Sequence, residues 1–229
     1  MSYNHDMVES SAAGGEPGAR ASREPGRRMR SHLLDAALAL FKARGITGTS
    51  VSEIAVSAGA FPSQVTYYFR TKEALFVEVA CREVLYAALQ TERAASRARS
   101  LASYVEALVV NAVAADGLAM FIEALTLARR RQDLAPLIAR TVERLHTEGA
   151  RAYAEIRARR GWPVADDPAL RARRFWALVL GVVLRDAASG QAAAESTREI
   201  LELLRTEWHV PPAAAVRRPR LAVVRSASR

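Results

Sequence analysis

The chain has 229 residues, half of them hydrophobic, with 33 Lys and Arg against 24 Asp and Glu, one cysteine and a formal net charge of +9. That length and apolar content exclude disorder of the whole and suffice for one large core or two small ones. The basic excess favours a polyanionic partner, nucleic acid first, and the lone Cys81 excludes an intrachain disulfide or a zinc site built on several thiolates.

Residues 1–26 combine Gly, Ser, Ala, Glu and Arg with two prolines and no periodicity, which reads as a disordered arm. Its basic end places Arg28 and Arg30 at a helix start, where cations reach phosphate or a minor groove. The first helix is expected from Arg28 to Arg44, with Leu33, Leu34, Ala37, Leu38 and Phe41 on one face and Gly45 closing it.

Residues 46–76 carry the strongest local signals. Ser50 and Glu53 form a Ser-x-x-Glu capping box that starts a short helix at Val51, and Gly59 ends it in the left-handed backbone region. Pro62 suits the first turn of a second helix over 62–69, with Val65 and Phe69 inward and Ser63, Gln64, Thr66 and Tyr67 outward. Two helices joined by a tight turn make a helix-turn-helix, whose second helix meets base edges in the DNA major groove. Gln matches adenine, and Ser and Thr hydrogen-bond to several bases.

Gly59 to Phe69, followed by Arg70-Thr71-Lys72-Glu73-Ala74-Leu75-Phe76, resembles the DNA-binding domain of the tetracycline-repressor (TetR) family. The resemblance covers about residues 27–80 and departs from the family pattern at Phe61 and Thr66. It implies DNA contacts from Tyr67, Tyr68 and Lys72, and Thr49 is added to the set. It also implies a helix from Thr71 to about Arg93 that links the DNA-binding module to a sensing domain, and an existence in the bacterial cytoplasm.

Further helices follow at 100–115, at 118–130 after a break at Gly117, from Asp133 and Pro136 to Arg160, and from a cap at Asp166 or Asp167 with Pro168 just inside. The run 175–184 is apolar all round but about half a membrane span. It reads as a buried core helix, with no membrane partner expected. A last helix spans Ala192 to Trp208. The family pairs its last two helices with those of a second subunit, which implies a homodimer interface at Phe175, Val179, Val182, Val183, Ile200, Leu203 and Leu204. The tail 211–229 reads as disordered and basic.

No metal-ligand spacing, phosphate loop or nucleophile elbow occurs, so neither an enzyme nor a cofactor is expected. Residues 71–210 read as a helical effector-binding and dimerisation domain, an all-α partner to the DNA-binding module at 27–70. Candidate pocket residues are Tyr104, Asn111, Met120, Phe121, Glu123, Tyr153 and Trp176, with Arg129 and His146 as further positions. Such a lining suits an apolar or aromatic effector better than a small anion. The function expected is a homodimeric repressor released from a palindromic operator by that effector; the alternative is an architectural or partner-binding DNA-binding protein with no small-molecule effector.

Overall fold

A computed structural model describes residues 17–162 and 167–210, with side chains from Pro25 onward. Nine α-helices and one 3-10 turn form all the regular structure among the described residues, so the all-α expectation holds. No single helix among them is long and apolar enough to cross a membrane. The expected disordered tail 211–229, and residues 1–16 of the expected arm, lie outside the described residues.

Helix α1 spans Pro17–Arg44 and begins well before Arg28. The stretch 17–26 expected to be disordered is therefore helical: Pro17 suits a first turn and Ala19, Arg20, Ala21, Arg23 and Glu24 are good helix formers, which here outweigh Gly18, Pro25 and Gly26. The lack of apolar periodicity hid it. Farther on, Leu33, Leu34, Ala37 and Phe41 are buried. Gly45, at φ 68°, closes the helix by donating its N–H to Phe41 O at 2.8 Å.

Helix α2 is Val51–Ser57 and α3 is Pro62–Phe69. The capping box forms: the Glu53 amide donates to Ser50 Oγ at 3.2 Å and the Ser50 amide to Glu53 Oε2 at 2.8 Å. Helix α4, Lys72–Ala95, starts where Thr71 Oγ1 accepts the Ala74 amide. The chain divides into two compact units between Phe76 and Val77, so the first turn of α4 belongs to the N-terminal unit. There Phe76 meets Phe41 edge-on at 5.2 Å.

The second unit contains the rest of α4, α5 (Leu101–Val113), α6 (Asp116–Arg130), α7 (Ala135–Arg160), α8 (Pro168–Ser189) and α9 (Ala193–Glu207). Helix α7 packs along α8, and α9 packs on α5 and α8. Gly117 does not break the chain as expected; it lies in the first turn of α6. A Cβ there would come within 2.8 Å of the Glu83 backbone carbonyl. Glycine is present because α6 crosses α4 backbone to backbone, a contact no local pattern announces. Gly161, at φ 66°, ends α7, and Asp167 Oδ1 accepts the Ala169 amide to cap α8. Cys81 is buried, and burial pushes its thiol pKa up.

Candidate functional site

In the N-terminal unit α3 is anchored by Val65 and Phe69, at 1% and 4% exposure. Ser63, Thr66 and Tyr67 point outward, Tyr67 at 80% exposure. Gln64 is half-buried because its Oε1 accepts the Phe61 amide at 2.9 Å, completing the helix N-terminus. Its carboxamide nitrogen is the end left for other work. Tyr68 is also half-buried: its ring packs edge-on to Tyr67 at 5.1 Å, and its hydroxyl lies near Gly26 of α1. Arg28 is exposed, whereas the Arg30 guanidinium lies over the Phe69 ring at 5.0 Å. Phe61, expected only as a turn residue, is 74% exposed at the start of α3. Its place before Pro62 was the available signal.

Two expected DNA contacts are corrected. Thr49 is 2% exposed and spends its hydroxyl on Gly45 O at 2.9 Å. Lys72 turns its Nζ inward, donating to Ile46 O at 2.7 Å and Thr49 O at 2.8 Å. It straps the α1–α2 connection to the start of α4, because the carbonyls of that turn have no helical partners and an ammonium satisfies two at once. Between the helices Arg70 adopts φ 63°, ψ −52°, and the Thr71 amide bonds to Phe69 O at 2.7 Å. That is a γ-turn of the strained, positive-φ kind.

At the other end of α2's cap, Arg44 Nη1 donates to Glu53 Oε1 at 2.7 Å. The Ser50 hydroxyl and amide, then Arg44, hold the Glu53 carboxyl down to about 2. The cap therefore carries a charge throughout the neutral range.

In the helical unit the expected pocket residues separate. Tyr104, Tyr153 and Trp176 converge on a small cavity, about 20 Å³, with Glu92, Arg171 and Trp208. Met120 and Phe121 are buried elsewhere in the core, and Asn111, Glu123 and Arg129 are exposed. Asn111 bonds back to Ala107 O on its own helix, so helical position alone misled for these polar groups. His146 is half-buried and does not line the cavity, its pKa lowered by desolvation. Arg171, 2% exposed, lies over the Tyr153 and Trp208 rings at 5.1 and 4.7 Å. The Trp208 indole N–H is buried and has no acceptor among the described residues.

Glu92 also lines a larger cleft of about 180 Å³ between α4 and α7, whose walls include Leu85, Ala88, Leu89 and Leu145. Its carboxylate accepts the Tyr104 hydroxyl at 3.2 Å. Burial raises the Glu92 pKa to about 7, against the lowering effects of the Tyr104 bond and Arg151. Glu92, Arg171 and Trp208 were missed because nothing in their local spacing marks them as interior.

The expected dimer set is mostly corrected as well. Phe175, Val179, Val182, Ile200 and Leu204 are at most 6% exposed within one chain, so they form its own core. Val183 is half-buried, while Leu184 and Leu203 are 49% and 44% exposed. The outward face of α8 carries Ala177, Gly181, Leu184 and Ala188 at spacings of three and four. Nothing lies within 4 Å of a Cβ built on Gly181. Arg185 ties α8 to α9 through Glu199 at 2.9 Å.

Residues 33–79 match the family described as bacterial regulatory proteins of the tetR family, and residues 101–205 match one described as a bacterial transcriptional repressor C-terminal domain. A solved structure of a transcriptional regulator from Rhodococcus sp. RHA1 shares 34% identity, covering 80% of this chain and 96% of that one, at a TM-score of 0.70. A TetR-family regulator structure from Mesorhizobium loti shares 23% identity over 80% and 97% of the two chains at 0.61, a likeness of fold. The HTH-type transcriptional regulator AcrR of Shigella flexneri is 38% identical over 61 residues, 27% of this chain and 28% of that protein. The helix-turn-helix with its outward-facing α3, joined through α4 to a helical unit with an interior cleft, is thus matched along most of its length, and the chain belongs to the TetR family of DNA-binding transcriptional regulators.

Proposed function

We propose that the protein is a homodimeric repressor in the bacterial cytoplasm that binds a near-palindromic operator and leaves it when a small effector occupies the helical unit. The carrying observation is the outward face of α3. Ser63, Thr66 and Tyr67 stand exposed on a helix whose opposite edge is locked into the core, and Phe61 stands beside them. A helix so presented enters a major groove, with Phe61 available to thymine methyls and the Ser and Thr hydroxyls to base edges. Arg28 supplies charge toward phosphate.

Dimerisation uses the apolar outward stripe of α8, where Gly181 permits close helix approach, with Val183 and Leu203 at its border. One α3 per subunit then meets one half-site. For release, an effector must bind the two states unequally; a ~hundredfold loss of operator affinity needs about 2.7 kcal/mol of coupling. The family's ligand-binding C-terminal domain supports this reading.

The test is quantitative binding to DNA upstream of its own gene at near-physiological salt with nonspecific competitor. Tight binding to one palindrome is expected, and Tyr67→Ala should weaken it by about 1–3 kcal/mol. Weak, salt-sensitive binding to every sequence would instead favour the architectural alternative.

A further inference from the structure

We propose that the α4–α7 cleft receives a small amphipathic organic cation, an apolar or aromatic body with an ammonium group that pairs with the Glu92 carboxylate. The assignment rests on the reading of the helical unit as the effector-binding part. The cleft has the shape for it: Leu85, Leu89 and Leu145 form apolar walls, and Leu89 is 47% exposed. At its inner end stands Glu92, which also lines the small aromatic cavity beyond.

Charge complementarity decides the sign of the ligand. Two cations line the same cleft: Arg144, whose side chain is exposed to water, and Arg151, which already bonds Glu148 at 2.9 Å and Glu155 at 2.7 Å. Arg171 is stacked between Tyr153 and Trp208 and has further partners of its own. Glu92, by contrast, has among the described residues one hydrogen bond, from a neutral phenol, and no ion pair. A carboxylate in that position has lost most of its water without gaining a cation, which is why its protonation is favoured. An incoming ammonium supplies the missing charge in a setting where the pair is weakly screened. A ligand anion could meet the exposed Arg144, but to occupy the cleft it would have to pass Glu148 and settle beside Glu92. The adjoining rings of Tyr104 and Trp176 offer the body of the ligand aromatic faces.

A matched series separates charge from bulk: 4-phenylbutylamine, 4-phenylbutanol and 4-phenylbutyrate, titrated into the full-length protein and followed by calorimetry and tryptophan fluorescence. The amine should bind about tenfold tighter than the alcohol, and the carboxylate weakest. Glu92→Gln keeps an acceptor for Tyr104 and should reduce amine and alcohol to equal affinity. Ala88→Leu, which fills the cleft, should weaken all three. The proposal is overturned if none of the three binds, if the carboxylate binds best, if the amine preference survives Glu92→Gln, or if Ala88→Leu leaves binding intact. Operator affinity is measured separately. Amine binding that depends on Glu92 but leaves operator affinity unchanged would overturn release by effector while upholding the cation site.

Discussion

The two units place their polar groups in opposite ways. In the N-terminal unit Ser50, Glu53, Gln64, Thr49 and Lys72 all bond within a few turns of one another and complete caps and loop carbonyls. What remains outward on α3 is free for a partner. In the helical unit Glu92 and Arg171 lie among the rings of the small cavity, and the Glu92 carboxylate accepts one hydrogen bond, whereas the buried Asp186 is bonded on both oxygens, to Arg185 and Ser196. A surface that reads a stiff polymer works from a scaffold whose own bonding is complete. A cavity that answers to a small molecule works from a group whose bonding is not.

Tryptophan fluorescence can test that contrast, because Trp162, Trp176 and Trp208 all lie in the helical unit. The largest effect expected is from Glu92. Its folded pKa of about 7 lies above its ordinary 4.5, so the folded state holds a proton that the unfolded state has lost. The stability that Glu92 contributes is fullest below pH 4.5 and falls as pH rises from there through 7, by about 3 kcal/mol in total. Glu92→Gln should flatten the urea midpoint between pH 5 and 8; a wild-type midpoint that is already flat would sink the idea.

Next is Gly117→Ala, which should cost about 2 kcal/mol because the new methyl meets the Glu83 backbone. Alanine is the better helix former by about 1 kcal/mol, so a raised midpoint would show that α6 and α4 do not touch there. Lys72→Met should cost about 1–2 kcal/mol by leaving two carbonyls without their donor. Faster amide exchange in α1 and α2, with the tryptophan signal unmoved, is the expected signature. Smallest is Ser50→Ala, about 1 kcal/mol from the lost cap, read as faster exchange at the start of α2. Equal disturbance of both units by either head variant would erase the contrast.

Signals that act within four residues were legible beforehand: the Ser50–Glu53 box, Gly59, Pro62, Gly161, the Asp167 cap and the inward edge of α3. Some misses were local, the helical stretch 17–26, the Thr49 hydroxyl on Gly45 O and the Asn111 amide on Ala107 O; the others involve partners distant in sequence. Lys72 has the composition of a phosphate contact, and its true acceptors are 23 and 26 residues back. Gly117 has the composition of a breaker, and its neighbour is on another helix. Periodicity marked α8 as apolar all round but not which edge its own core would claim, so most of the residues assigned to a second subunit proved interior. For Glu92, a charged residue on a long helix looks like any solvated one until α5 and α7 close over it.

The joint at Arg70 bears on what kind of inherited change the head can absorb. One residue connects α3 to the turn that opens α4, and two bonds from Lys72 pin that turn to the loop before α2. A single added residue there would swing the faces of α4 by about 100°, carrying Leu75 and Phe76 away from Phe41. Exchanges of outward side chains on α3 leave this alignment untouched. The segment is thus permissive to substitution and intolerant of length change, so the outward face of α3 can drift letter by letter while its alignment with the start of α4 stays fixed.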